Sequence, residues 1–238
     1  MANRVCQKPA LCLKELKYRW SGQEDLTLDI AGLSLQPGSS LFLHGPSGCG
    51  KSTLLSAIAG VIETPEGSIE ISGTDIGALR TSVRDQFRAD HIGIIFQLLN
   101  LLPWLSALEN VLLATRFSHA RRVKAGPRPD VAARQLLAEL GLAGPSVIDA
   151  PASTLSVGQQ QRVAAARALL GAPDLVLADE PTSALDDEAK TVFVNLLVRE
   201  CAAAGAALLF VSHDRSLEGY FDQSLSLAQL NGSGALGC

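Results

Sequence analysis

The chain has 238 residues, enough for one large domain or two small lobes. Its 24 acidic residues outweigh 20 basic ones, for a net charge of −4, so a basic nucleic-acid footprint is absent at whole-chain level and no nucleic-acid partner is expected. The 47% hydrophobic and 5% aromatic content, with 21 Gly, describes a globular chain rich in small aliphatics and excludes a disordered one.

The first residues read as strands. Leu11–Tyr18 and Leu26–Leu35 alternate apolar and polar positions, with Ser21-Gly22 as a turn signal between them. Ser40–His44 is a short apolar run, followed by a helix pattern over Lys51–Ala59 that Gly60 stops. Gly67–Ser72 alternates again, and Ile92–Phe96 is a compact apolar strand. From Leu98 to about Leu170 the pattern turns helical, with Ala107–Phe117, Val131–Leu140 and Ser156–Leu170 as candidates. Asp174–Ala178 is an apolar strand suited to burial on both faces. Helix Asp187–Ala203 and strand Ala206–Val211 follow, and the Gly/Ser-rich tail 231–238 reads as frayed. Strands separated by helices require crossover connections, so the class is α/β with a parallel sheet. All of 1–238 reads as one domain, with a core at about 11–97 and 171–228 and a helical lobe at about 98–170.

Mean hydropathy is +0.21, yet no uncharged run reaches the roughly 18–20 residues of a membrane span. The most apolar region, Ile92–Leu113, is broken by Gln97, Asn100, Pro103, Glu109 and Asn110. Residues 1–20 carry Lys and Glu where a secretory signal requires an apolar core, so a cytosolic chain is expected, with any membrane span supplied by a partner. Cys6, Cys12, Cys49, Cys201 and Cys238 are odd in number and have no metal spacing; reduced thiols are expected.

Gly45-Pro46-Ser47-Gly48-Cys49-Gly50-Lys51-Ser52, with Thr53 next, fits GxxxxGK[ST] between a strand and a helix. Glycines let the backbone curl so that N–H groups point at phosphate oxygens, and the helix start adds its positive end. Lys51 would reach the β- and γ-phosphates, and the Ser52 hydroxyl would enter an oxygen-only Mg²⁺ shell. Cys49 reads as a small loop filler rather than a reactive thiol. Asp179-Glu180 ends an apolar strand where open α/β sheets place ligands. Asp179 would hold Mg²⁺, and Glu180 would orient and deprotonate an attacking water. His213 ends the next apolar strand and can reach the same γ-phosphate or water. In Leu155–Arg162, Ser156 and Gln159 have the spacing of a capping box, and Gly158 clears the helix start for an approaching anion. The sequence thus contains two helix starts suited to phosphate but one complete nucleotide site.

The order of these pieces, over about residues 11–228, resembles the ATP-binding cassette (ABC) ATPases: P-loop 45–52, Gln97, signature 155–162, Asp179-Glu180, Ser183-Ala184-Leu185-Asp186, then His213. The resemblance implies a P-loop fold with a mainly parallel core sheet, an N-terminal antiparallel β subdomain and a helical subdomain. It implies ATP and Mg²⁺ as ligands, hydrolysis of ATP, and a head-to-tail dimer in which the signature of one copy closes on the nucleotide of the other. Integral-membrane transporter subunits at the cytoplasmic face of the inner membrane would be the partners. Gln97 resembles the loop glutamine that contacts Mg²⁺ and water. Asp186 resembles the aspartate that signals across the dimer. Trp20, with Tyr18 as alternative, fits the aromatic that stacks on adenine. Val157 stands where the family most often has Gly.

Phe96–Val111 resembles the lipoprotein-release and macrolide-export branch. A soluble or regulatory ABC ATPase, or an importer subunit, is the alternative. No Asn-Lys-x-Asp guanine-reading element is present, which argues against a GTPase. The apolar stretch Leu98–Leu105 reads either as a dock for a partner helix or as core of the helical lobe. Arg121, Arg122, Lys124 and Arg128 read as a basic loop with a solvated face, contact with anionic lipid being the rival.

Overall fold

The computed structural model describes residues 8–232. In chain order its elements are β1 (Leu11–Tyr18), β2 (Leu28–Leu35), β3 (Ser40–His44), α1 (Lys51–Ile58), β4 (Ile69–Ile71), β5 (Thr74–Asp75), α2 (Thr81–His91), β6 (Ile92–Ile95) and α3 (Ala107–Phe117). There follow α4 (His119–Lys124), α5 (Pro129–Glu139), α6 (Pro145–Ile148), α7 (Val157–Leu169), β7 (Leu175–Asp179), α8 (Asp187–Ala203), β8 (Ala207–Val211), β9 (Gln223–Ser226) and α9 (Leu227–Leu230).

Two sheets form. An antiparallel one has the order β2-β1-β4-β5, and a parallel one the order β6-β7-β8-β3-β9. Because side chains alternate across a strand, each parallel strand feeds two cores. Phe42, Val176, Ala178, Leu208 and Phe210 face the core shared with α3, α5, α7 and α8. Leu41, Leu43, Leu175, Leu177, Leu209 and Val211 face the core shared with the antiparallel sheet and α1. The parallel order puts the C-terminal ends of β3, β6, β7 and β8 along one edge, and the motif residues sit there.

Helix α7 is the central helix of the first core. Val163, Ala164, Ala165, Ala166 and Ala168 are all buried, and small side chains let it approach the sheet closely. At Gly93 of β6 the approach is tight enough that a Cβ would collide with the Ala168 carbonyl. The last carbonyls of a helix have no intrahelical donor, and here a distant arginine supplies one. Arg121 of α4 donates Nε to Leu170 O at 2.8 Å and Nη2 to the carbonyls of Arg167 and Ala168.

The solvated face expected for the basic stretch is therefore corrected at Arg121. It lies on a helix and is 5% exposed, and burial pulls its guanidinium pKa down to about 10. A helix C-terminus recruits a cation, and the carbonyls that do so lie 46–49 residues away in sequence. Arg121→Ala strands these carbonyls in the core and is expected to cost about 3 kcal/mol, read as a lowered urea midpoint.

Two other expectations change. Asn231 and Gly232, expected in a frayed tail, are tied to β2. Asn231 Oδ1 accepts from the Asp29 amide at 3.1 Å, and the Gly232 amide donates to Asp29 O at 2.9 Å. Residues 233–238 lie outside the described residues. Cys12 is disulfide-bonded rather than reduced, while Cys49 and Cys201 are free. Cysteine count and spacing say nothing about which sulfurs a fold brings together. The apolar stretch at 98–105 is divided: Leu99 is buried in the core, whereas Leu98 and Trp104 are 86% and 71% exposed. Among the described residues no helix is long and apolar enough to cross a membrane.

Candidate nucleotide site

The end of β3 passes into the glycine loop at Gly45, and α1 starts at Lys51. Gly50 caps α1 with φ +103°, a conformation L side chains rarely adopt, and a Cβ there would crowd the Thr27 carbonyl at 3.1 Å. The Lys51 side chain folds over the loop, donating Nζ to the carbonyls of Gly45 and Pro46 at 2.8 and 2.9 Å. Only 8% of Lys51 is exposed.

Facing this loop is the end of β7. Ser52 Oγ donates to Asp179 Oδ2 at 3.4 Å. The Asp179 carboxyl is held above its usual pKa, first by burial and second by the neighbouring Glu180 charge. Glu180 adopts φ +43°, and its amide donates to Val211 O at 2.9 Å, which ties the turn to β8. That turn aims the carboxylate between two nitrogens: Oε1 lies 4.0 Å from Lys51 Nζ, and Oε2 lies 3.0 Å from His213 Nδ1. His213 follows β8 and lies in the loop whose Asp214 is held at a pKa of about 2, chiefly by the Ser216 hydroxyl and then by Lys190.

Residues 47–52 of the loop, Asp179 and Glu180 line one cavity of about 730 Å³, whereas His213 lies outside its lining and meets it only through Glu180. Its lining includes Trp20, Ser47, Gly48, Cys49, Gly50, Lys51, Ser52, Thr53, Gln97, Asp179 and Glu180. The predicted residues from four distant stretches thus meet at one cleft. Trp20 rather than Tyr18 lines it. The Trp20 indole N–H donates to Thr53 Oγ1 at 3.4 Å, and the Tyr18 ring meets it edge-on at 5.2 Å. Gly45 and Pro46 contribute carbonyls beneath Lys51. Gln23, Asp25, Leu26, Thr27 and Asn231 also line the cavity, and no motif pointed to them.

Ser156, Gly158, Gln159 and Asp186 lie outside this lining. The capping box at α7 forms as its spacing predicts: Ser156 Oγ accepts from the Gln159 amide at 3.3 Å, and Gln159 Oε1 accepts from the Ser156 amide at 2.9 Å. A Cβ on Gly158 would meet only Leu185 at 3.7 Å, an ordinary contact, so nothing within the protomer requires glycine there. Val157 beside it is 47% exposed. Asp186 caps α8, its Oδ1 accepting from the Ala189 amide at 2.8 Å.

Residues 28–183 match the family described as ABC transporter. The chain belongs to that family. It is 40% identical over 223 residues to the lipoprotein-releasing system ATP-binding protein LolD of Novosphingobium aromaticivorans, covering 92% of this chain and 96% of that protein. It is also 40% identical to LolD 2 of Rhodopseudomonas palustris, over 92% of this chain and 93% of that one. Among solved structures, the dimeric ATP-binding cassette MJ0796 in a post-hydrolysis state with ADP and Pi superposes with a TM-score of 0.75 at 31% identity. That match covers 91% of this chain and 93% of the other. The antiparallel sheet beside a parallel, helix-covered one is thus the ABC ATPase fold, and the chain is an ATPase subunit of that family.

Proposed function

We propose that this ABC ATPase binds and hydrolyses ATP·Mg²⁺ as a head-to-tail dimer and drives integral-membrane subunits of the lipoprotein-releasing type. It would do so from the cytoplasmic face of the inner membrane. The carrying observation is the single cavity that gathers Trp20, the glycine loop, Gln97, Asp179 and Glu180. The names of the relatives supply the branch. In this reading Trp20 stacks on adenine, and the loop amides with Lys51 hold the β- and γ-phosphates. Residues of about 98–170 form the lobe that carries the signature.

The donor set beside the phosphate cradle suits Mg²⁺. Ser52, Gln97 and Asp179 offer only oxygen ligands, and Asp179 is a half-buried carboxylate whose charge calls for a cation. Mg²⁺, when bound there, neutralises phosphate charge. Glu180 accepts the proton of the attacking water, while His213 keeps the Glu180 carboxylate turned toward the phosphate end of the cleft. The signature start, Ser156 to Gln159, is open for the nucleotide of a second copy. An in-helix glycine without an internal steric reason supports this, because glycine destabilises a helix by about 1 kcal/mol.

A tagged pull-down from mildly solubilised membranes, read by mass spectrometry, tests the proposal. Recovery of a multi-span protein with a large extracytoplasmic domain is expected. A compact permease would point to an importer, and recovery of soluble proteins alone would replace the transporter reading with that of a soluble ABC ATPase.

A further inference from the structure

We infer that α7 holds both Gln97 and Glu180 in place through two of its side chains, Arg167 and Gln161, which bind main-chain carbonyls next to them and are positioning residues for ATP hydrolysis. This rests on the roles proposed above for Gln97 and Glu180. Non-glycine backbone at positive φ is rare, and among the described residues three of its six cases follow Gln97 or fall on Glu180. Glu180 has φ +43°, and Leu99 and Asn100, just beyond Gln97, have φ +56° and +48°. A left-handed leucine is sterically costly and persists only where its surroundings hold it.

Both segments are held from α7. Arg167 donates Nη2 to Leu99 O and Nη1 to Asn100 O, each at 2.6 Å, one guanidinium fork across the two strained peptides. Gln161, 2% exposed, donates Nε2 to Pro181 O at 2.6 Å, directly after Glu180. Its Oε1 is buried without a partner, so the amide pays a desolvation penalty to make that one bond.

The two anchors are six residues apart on one helix, about 9 Å along its axis. That helix is itself fixed, packed on β6 at Gly93 and bonded at its C-terminal end by Arg121. A shift of α7 would therefore move the Gln97 and Glu180 segments together. The same helix begins at the Ser156 cap, where the second copy's nucleotide would bind.

Hydrogen exchange on the full chain tests the anchors directly. Arg167→Ala is expected to speed amide exchange at least about tenfold across 97–102 while leaving 40–60 unchanged. Arg167→Lys, with a single point donor, should fall between, and it keeps the test available if the alanine variant does not fold. ATP affinity should stay within about twofold of wild type, and turnover should drop about tenfold at an unchanged KM. Gln97→Ala/Arg167→Ala should be no slower than Gln97→Ala alone, and Glu180→Gln/Gln161→Ala no slower than Glu180→Gln, because each anchor acts through the residue it holds. Wild-type exchange in Arg167→Ala, or multiplicative losses in the double variants, overturns the inference. If Gln97→Ala turns over normally while Arg167→Ala still loosens 97–102, the role given to Gln97 is what fails, and the catalytic part of the inference fails with it.

Discussion

Glu180→Gln is expected to lower ATP turnover by about 10²–10⁴-fold while ATP binding survives. The substitution keeps shape: the amide fills the same space between Lys51 Nζ and His213 Nδ1. It removes the one group at the cleft with a carboxylate aimed into the phosphate end and free of metal duty in this reading. It also removes the second cause of the raised Asp179 pKa, so Asp179 ionises more readily. Binding and closure are therefore kept and hydrolysis is lost, and an ATP-bound dimer should accumulate. Steady-state ATPase assays and size-exclusion chromatography with ATP·Mg²⁺ read the two effects separately. Turnover at the wild-type rate would show that another group takes the proton.

The sequence announced this site because its parts are local. The glycine loop needs only a strand before it and a helix after it, and both are punctuated by Gly and Lys51. The α7 start was legible from Ser156 and Gln159 alone, since a capping box is complete within four residues. Strand β7 was legible because burial on both faces demands an unbroken apolar run. Helix α2 was not: TSVRDQFRADH is polar almost all round, buries only Arg84 and has no side-chain cap, so it offers neither period nor start signal. Strand β9, Gln-Ser-Leu-Ser, is a polar edge strand whose existence depends on pairing with β3. The same holds for single residues. Arg121 looks like any surface arginine until α7 presents its last carbonyls, and Asn231 looks like tail until β2 offers the Asp29 amide. What escaped the sequence is what depends on partners tens or hundreds of residues away.

Ser156→Arg is expected to cut turnover by about 10²-fold or more and abolish the ATP-dependent dimer, with ATP affinity of the single copy unchanged. The variant acts at the exposed start of α7, outside the cavity that holds the nucleotide, so nothing in the same protomer's site is altered. It replaces a small acceptor with a long cation at the positive end of a helix, which repels from the dipole and fills the approach that Gly158 leaves open. Loss of the cap contributes as well, and Ser156→Ala separates the two. Alanine removes the bond to the Gln159 amide, worth about 1 kcal/mol, but adds no bulk. If the signature acts only by stabilising its own helix, the alanine and arginine variants lose activity alike. If it closes on a second copy's phosphates, arginine is far worse than alanine, and mixing Ser156→Arg with Glu180→Gln chains restores one competent interface per dimer. In that mixed dimer the wild-type signature of the Glu180→Gln chain faces the intact Glu180 of its partner. That arm can be reached only if the two halves of a site come from different chains, so recovered turnover in the mixture, against none in either variant alone, decides the trans arrangement.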